Sequence, residues 1–396
     1  MELTLNALRS VVQKDAAIRR VQRLQPVGGP GDKIFPPTYP GEGRNDPARH
    51  LFETRRINGQ DVRCVLIDSV QSQANRLEEG LLALVREDNI NMPYVVVDFS
   101  NIKDGDQDLS DLGTITSLDA PHRIFDAIIR DSELNGVKFT DTDLYKKGLM
   151  LAKPSNALDV FEISPSSLVF GVWNSTGEGG GLGTKFPRCV VSEIVGVGAV
   201  EGQKGAVRID PLGIRASVRV INGPLDWTLA AGVKGEKSAK PSEINHSNII
   251  SNLVPGGVTI DYALHTAVIT CAGLRRLKFP NKDDLTGQTV LAALALVAFT
   301  QQDSNGYSFR SRCDLVCEEA APFEIVHPDG KGEPLTISKQ RAVDVFKESV
   351  EAARKAGFQW NVEPISLTPQ RRLVELVALS RKKALAGETE SENGNE

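Results

Sequence analysis

The sequence lacks the features of a membrane or secreted protein. No run of about 18 apolar residues occurs, so nothing predicts a helix that spans a bilayer. Residues 1–13 have neither the charged region nor the apolar stretch of a signal peptide. The five cysteines, at positions 64, 189, 271, 313 and 317, include no Cys-x-x-Cys pair. We therefore expect a reduced, cytoplasmic protein that has no zinc ribbon and no contact with a membrane.

Positive charge and aromatic rings are also scarce. The 46 Lys and Arg residues are outnumbered by 51 Asp and Glu residues, which gives a formal net charge of −5. Four glutamates lie near the C-terminus, at 388, 390, 392 and 396, so the rest of the chain is close to neutral and can still carry a local basic groove. Aromatic residues make up 6%, and the ring signature of a base-stacking recognition motif is missing, which argues against RNA bases stacking on a sheet.

What the chain does contain is a series of strand and helix patterns. Strand patterns lie at 17–27, 62–67, 94–99, 167–173, 190–200, 257–270 and 307–316, with a hairpin turn at Asn58-Gly59. Helix patterns lie at 1–14, 70–85, 117–132, 141–159, 285–301, 338–356 and 368–385. The core order of strand, helix, two strands, helix and strand predicts an α+β fold with a ferredoxin-like, RNA-recognition-motif-like palm and large insertions. We expect the palm within residues 1–330, a helical extension at 331–386 and a disordered acidic tail at 387–396.

The segment Asp68–Glu79 is the first candidate site. It follows the apolar run 62–67, and Asp68 or Ser69 is expected to cap the helix that begins there. A helix N-terminus offers free amide donors and the positive end of the helix dipole. Further hydrogen-bonding side chains crowd the first two turns, among them Ser69, Gln71, Ser72, Asn75 and Arg76. This pattern indicates a seat for phosphate, and the alternative is a well-capped helix whose polar face meets solvent.

A glycine-rich loop between two predicted strands is the second candidate. Five glycines fall within residues 177–183, and Lys185 and Arg188 follow them. The loop fits neither the phosphate-loop pattern nor the dinucleotide fingerprint, because Gly183 is followed by Thr184 and Leu182 stands where a third glycine belongs. A loop of free amides beside two basic residues nevertheless suits a polyanion.

Four motifs occur in the order found in one known protein family. They are Ser69–Glu78, Ala120–Arg123 with Ile129–Ser132, Phe170–Gly177, and Arg310–Leu315. Over roughly residues 17–320 the chain resembles the backbone subunit of the type I-U (also called I-G) CRISPR-associated Cascade complex. That subunit is of the Cas-seven type and belongs to the RAMP superfamily.

The resemblance implies a hand-shaped protein with a palm, inserted fingers and a thumb. Several copies would polymerise along one CRISPR RNA, hold its phosphates and present its guide to target DNA, together with other Cascade subunits. No cofactor, metal or catalytic residue is expected. The residues expected to contact RNA are Arg23, Lys33, Ser69, Gln71, Ser72, Asn75, Arg76, His122, Arg123, Asn174, Thr176, Gly180, Gly181, Lys185, Arg188, Arg310 and Arg312. The segments Lys33–Pro47 and Lys234–Asn252 are candidates for reaching the next copy.

Two other functions remain open at this stage. Some RAMP relatives cleave RNA, so the chain could be an endoribonuclease, for which His122 is the one candidate acid or base. A metabolic enzyme that holds a phosphorylated substrate at the two polar helix starts is the other alternative, although it leaves the long insertions unexplained.

Overall fold

The computed structural model describes residues 1–41, 43, 46, 48–174, 183–222, 226–230, 238–250 and 253–385. Its α-helices are α1 (Leu5–Lys14), α2 (Val70–Arg86), α3 (Ala127–Arg130), α4 (Leu158–Ile163), α5 (Pro165–Phe170), α6 (Cys271–Arg275), α7 (Asp284–Asn305), α8 (Lys339–Lys355) and α9 (Arg371–Leu385). No helix among these residues is long and apolar enough to cross a bilayer.

The strands, many of them short, run along the whole described chain. They are β1 (Ala17–Pro26), β2 (Thr38–Tyr39), β3 (Arg49–His50), β4 (Phe52–Ile57), β5 (Gln60–Asp68), β6 (Val95–Asp98), β7 (Lys103–Asp104), β8 (Gln107–Asp108), β9 (Thr114–Thr116), β10 (Ser132–Leu134), β11 (Val137–Lys138), β12 (Val172–Trp173), β13 (Lys185–Phe186), β14 (Val190–Val197), β15 (Val200–Lys204), β16 (Val207–Arg208), β17 (Val220–Asn222), β18 (Trp227–Leu229), β19 (Ile249–Ile250), β20 (Val254–Thr259), β21 (Tyr262–Thr270), β22 (Tyr307–Ser308), β23 (Asp314–Glu319), β24 (Phe323–Val326), β25 (Gly332–Leu335) and β26 (Ile365–Pro369).

The main sheet is antiparallel and has the order β22-β23-β1-β21-β14-β5-β4. Strand β24 also pairs with β1, at its start, and forms a hairpin with β25. The expected mixture of helices and sheet is therefore confirmed. The predicted hairpin between β4 and β5 is confirmed as well: Asn58 and Gly59 both have positive φ, which a two-residue turn between twisted strands requires.

Helices cover one face of this sheet. Strand β21 alternates fully buried residues at 263, 265, 267 and 269 with half-buried ones between them, so one of its faces meets the helices and the other is open. Helix α7 is buried along nearly its whole length, with α1, α2, α5, α6 and α8 around it. A smaller apolar cluster continues along the covered face and includes Leu24, Ile34, Val258 and Tyr307.

A second sheet has the order β11-β10-β26-β6-β9, and its β6 and β26 are parallel. Strand β26 comes from the segment that the sequence analysis treated as purely helical. Its residue Leu367 is 1% exposed. The C-terminal segment is thus joined to the body by a strand as well as by α8, which packs on α7.

Three predicted elements are wrong. The expected strand 167–173 is mostly helix α5, because Pro165 occupies the first helical turn and complete burial removes the alternation that separates strand from helix. The expected helix 117–132 is broken into a 3-10 turn at Arg123–Phe125, the short α3 and β10. Arg123 has a φ of 53°, which a continuous helix does not allow. The expected helix 141–159 is reduced to a π-helix at Leu144–Leu149 and the start of α4.

Candidate nucleic-acid interface

Helix α2 begins directly where β5 ends, as expected. Ser69 caps the helix, and its hydroxyl accepts a hydrogen bond from the backbone N–H of Ser72 at 3.2 Å. Gln71 and Asn75 are exposed, and with Ser72 they form a surface that we call the α2 polar face. Glu79 lies one turn further along, and its negative charge limits an anion site to the first two turns.

Arg76 joins α2 to the hairpin of β22 and β23. Its Nε donates to the buried carboxylate of Asp68 at 3.1 Å, and its Nη2 donates to the carbonyl of Phe309 at 3.0 Å. Its guanidinium lies 4.9 Å from the centre of the Phe309 ring. The side chain keeps 29% of its exposure. Arg76 therefore holds the structure together at the site where a phosphate contact was expected.

The hairpin corrects another prediction, since residues 307–316 were expected to form one strand with Arg310 and Arg312 on one face. Only Tyr307–Ser308 and the part from Asp314 onward are strand, and between them Cys313 donates a backbone hydrogen bond to Arg310 at 2.8 Å. Arg312 has a φ of 58°, the left-handed region that a residue with a side chain rarely adopts. The turn thereby directs two arginines away from the sheet.

These arginines border a cleft of about 640 Å³. Arg312 lies 5.0 Å from the ring centre of Phe35, whose N–H donates to the Arg312 carbonyl at 2.9 Å. Arg310 donates to the carbonyl of Pro36 at 3.5 Å. The lining, which we call the basic cleft, consists of Phe35, Pro36, Thr38, Ala48, Arg49, His50, Glu201, Lys204, Val254, Pro255, Gly256, Arg310, Ser311 and Arg312. Among these described lining residues, four basic side chains face a single acidic one, so the cleft attracts anions although the whole chain does not.

Two further basic residues of the expected set lie near β1 and β20. Lys33 donates to the carbonyl of Gln203 at 2.9 Å, and so ties the segment before the cleft to the long insertion between β14 and β21. Arg23 lies on the open face of the sheet, with its guanidinium 4.2 Å from the centre of the Tyr262 ring.

Arg123 is a correction to the expected RNA contacts. Its guanidinium is buried and bonds both carboxylate oxygens of Glu78, at 2.8 and 2.6 Å, and the carbonyl of Gly171 at 2.9 Å. Burial raises the pKa of Glu78 to about 7, although Arg123 and Ser166 act in the opposite direction. Since Arg123 has no surface to offer, we drop it from the candidate contacts.

A second group of expected RNA contacts lies on the side of α2 that carries Glu78, away from the hairpin of β22 and β23. Arg188 lies against Gly171, whose carbonyl accepts the hydrogen bond of Arg123, and partial burial and Arg123 lower the pKa of Arg188. His122 is exposed, and Lys185 lies 4.9 Å from the ring centre of Trp173. Asn174 is buried and donates to the hydroxyl of Tyr145 at 3.2 Å. The remaining expected contacts Thr176, Gly180 and Gly181, and most of the glycine loop, lie outside the described residues.

The helical geometry of α2 shows how the two groups of basic residues, at the cleft and beside Arg123, are placed relative to each other. Successive helical residues are turned by about 100°, so Arg76 and Glu78 lie on opposite sides of Asn75. Arg76 contacts the hairpin that borders the basic cleft, and Glu78 contacts Arg123 beside Arg188. The α2 polar face therefore lies between the two basic groups.

A buried polar network that sequence reasoning missed lies beneath α2. The Ser192 hydroxyl donates to Gln73 at 2.7 Å and lies 2.9 Å from Nε2 of His265. On the other side, Nδ1 of His265 lies 3.1 Å from the Gln22 amide. Burial and the nearby Arg20 lower the pKa of His265 to about 3. A neutral ring with its proton on Nε2 satisfies all these partners.

This network is not a catalytic site. Ser192 and His265 are 2% and 0% exposed, so no substrate reaches their side chains. The two-residue alternation along the predicted strand 257–270 was the available signal, because it places His265 on the same face as Ala263 and Ala267. Among the residues that the structure describes, no cluster of three or more His, Cys, Asp or Glu could hold a metal ion.

Fold and site together define a mixed α/β protein that presents a basic cleft beside the polar start of a helix. Residues 18–201, a little under half of the chain, match the family model described as CRISPR-associated protein GSU0053. This part of the chain is similar to that family, which confirms the resemblance to a CRISPR-associated family. The crystal structure of Thermofilum pendens Csc2 is similar, with 12% identity over 96% of this chain and 88% of that chain, at a TM-score of 0.27. No curated protein is similar enough to count as a match.

Proposed function

We propose that the protein is a non-catalytic backbone subunit of a Cascade complex of type I-U (I-G), which binds the phosphates of a CRISPR RNA and presents its guide to target DNA. The observation that carries this proposal is the basic cleft at the hairpin of β22 and β23, next to the α2 polar face. Side chains there supply positive charge and hydrogen-bond donors, and these contact phosphates whatever the RNA sequence. A guide must be held without regard to its sequence, so backbone contacts are the type that the task requires.

The strand order supports a ferredoxin-like palm. Strands β1, β14, β21 and β23 would be its four strands, in the sheet order β23-β1-β21-β14. A ferredoxin-like sheet has the order 4-1-3-2 with antiparallel neighbours, and the observed pairings agree with it. Helices α2 and α7 would be the two palm helices, since each lies between the appropriate strands and they pack on one another. Strands β4 and β5 then extend the palm beyond β14.

The insertion between β14 and β21 supports assembly of several copies. Its described residues form paired strands, and many of its large apolar side chains are exposed. They include Val200, Val207, Ile209, Leu212, Leu229, Ile250 and Leu253, each at least 63% exposed. Exposed apolar surface of this extent within one segment is typical of a protein–protein contact site. We propose that the next copy covers them.

The proposal is tested by RNA binding with charge-removing variants of the cleft. The double variant Arg310→Gln, Arg312→Asn removes two positive charges, and Asn tolerates the left-handed backbone at 312. For a single-stranded RNA without base pairing, the slope of log affinity against log salt should fall by about 0.7 for each lost phosphate contact, and affinity should fall roughly tenfold or more at moderate salt.

The matched control is Arg56→Gln, which removes a 70% exposed arginine on β4 that pairs with Asp61. It should leave affinity and salt slope unchanged. The same labelled RNA should stay intact with and without Mg²⁺. An unchanged salt slope in the double variant would rule out the cleft as the RNA site, and cleavage of the RNA would favour the endoribonuclease instead.

A further inference from the structure

A cavity separate from the basic cleft arises from a break beside β1. Strand β23 pairs with the end of β1, from Arg23 onward, and β24 pairs with its beginning, up to Arg19. The connection between them is Ala320-Ala321-Pro322, in which the proline lacks a backbone N–H and the alanines fill little space. In the described part of the chain, the middle of β1 consequently has no neighbouring strand on this side.

The space left by this break measures about 460 Å³, within the usual range of small-molecule sites. Its floor is formed by β1 and the last turns of α7, and its walls by the strand connection and the residues that lead into α8. The lining residues are Arg20, Gln22, Thr300, Asp303, Tyr307, Cys317, Ala320, Ala321, Pro322, Phe323, Leu335, Thr336 and Ile337. Most of the wall is apolar, whereas Arg20, Asp303, Tyr307 and Gln22 form one hydrogen-bonded group, which we call the polar end.

One donor at the polar end has no acceptor. Arg20 is 5% exposed and bonds both carboxylate oxygens of Asp303, at 2.5 and 2.8 Å, through its two terminal nitrogens. Its guanidinium also lies 4.4 Å from the centre of the Phe323 ring. Its Nε is buried and makes no hydrogen bond to any residue that the structure describes. A buried donor left in this state is costly unless something supplies an acceptor.

The charges at the polar end determine whether the acceptor of a bound molecule is charged or neutral. Arg20 and Asp303 neutralise one another, and burial raises the pKa of the Tyr307 phenol, which stays uncharged. An anion would meet the Asp303 carboxylate and a cation would meet Arg20, and neither would find a free partner of opposite charge. A neutral carbonyl oxygen fits the free donor, and an apolar ring fits the wall beside Phe323.

We propose that this cavity binds a small neutral molecule with a planar apolar body and one carbonyl-type acceptor. The acceptor receives the hydrogen bond of Arg20 Nε, and the body packs against Phe323 and the strand connection. Asp303, which is 34% exposed, marks the opening. None of these residues belongs to the basic cleft, so the site stands independently of the RNA proposal.

The test uses four probes of one shape and different charge or polarity: benzamide, benzoate, benzamidinium and toluene. Each is added at the same low millimolar concentration, and the melting temperature of the full chain is compared with and without it. Benzamide should raise the melting temperature measurably, roughly 1–2 °C, because binding to the native state stabilises it. The other three should have smaller effects.

Two variants locate the binding. Ala321→Leu places a larger side chain in the cavity wall and should abolish the benzamide shift. Ala356→Leu makes the same change at an exposed position after α8 and should retain the shift. Because each shift is measured within one variant, a change in that variant's own stability does not affect the comparison. The proposal is overturned if benzamide has no effect, because water alone then satisfies Arg20. It is also overturned if all four probes shift the melting temperature equally, or if the benzamide shift persists in Ala321→Leu.

Discussion

Arg76 stabilises the fold at the position where it was expected to bind an RNA phosphate. It spans from the buried carboxylate of Asp68 to the carbonyl of Phe309. Asn75, its neighbour, is exposed on the α2 polar face. Substitutions at the two positions should therefore have different consequences.

The prediction concerns Arg76→Met and Asn75→Ala. Arg76→Met leaves the Asp68 charge buried with Gln73 as its remaining side-chain partner, and should lower the free energy of unfolding by about 1–3 kcal/mol. Asn75→Ala removes an exposed amide and should weaken RNA binding with little change in stability. Urea unfolding and RNA titration of both variants check this. Equal destabilisation by the two substitutions, or unchanged RNA affinity of Asn75→Ala, would contradict the assignment of roles.

A pH effect is expected from His265. Burial and Arg20 lower the pKa of His265 from 6.5 to about 3 in the folded state. The folded chain thus excludes a proton that the unfolded chain binds, so the contribution of His265 is complete above pH 6.5 and is lost as pH falls toward 3. Each pH unit in this window costs up to about 1.4 kcal/mol.

The measurement is the free energy of unfolding between pH 7 and 4, for the wild type, His265→Gln and His122→Gln. His265→Gln should be less stable at pH 7 but should lose less stability on acidification. His122→Gln, altered at an exposed ring, should keep the wild-type slope. Parallel curves for the wild type and His265→Gln would show that His265 is not held neutral.

At the scale of elements, the sequence patterns correctly predicted the elements that depend only on residues close to one another in the chain. The Asn58-Gly59 hairpin, the cap at Ser69 and the buried helix α7 follow from turn chemistry, capping and composition. The roles of Arg123 and Arg312 did not follow. The pairing of Arg123 with Glu78 spans 45 positions, and the orientation of Arg312 depends on its contact with Phe35. Such contacts exist only once the chain has folded.

Strand β26 also depends on a contact between distant positions, because its partner β6 lies some 270 positions earlier in the chain. Leu367→Ala should lower the free energy of unfolding by about 2–5 kcal/mol, since its side chain is fully buried in the sheet core. Leu379→Ala on α9, where the side chain is 53% exposed, is the matched control and should change stability by less than about 0.5 kcal/mol. If both variants unfold like the wild type, the C-terminal segment does not contribute to the fold as described.

At the scale of the whole molecule, the insertion between β14 and β21 contributes both to the basic cleft and to the exposed apolar surface. In the proposed function, the basic cleft and the α2 polar face contact a polyanion, and the exposed apolar side chains of this insertion contact another copy. A contact between unlike surfaces that does not close into a ring continues as a helix. RNA lying across successive copies would strengthen that assembly, because each copy then binds beside one that is already held.

Native mass spectrometry of the protein with single-stranded RNAs of graded length tests this account most directly. The number of bound copies should rise in steps as the RNA is extended by fixed increments, and affinity should rise steeply with length. The double variant Arg310→Gln, Arg312→Asn should require longer RNA or lower salt for the same occupancy. A stoichiometry that stays at one or two copies across the whole series, or the absence of any RNA-bound species, would contradict the account.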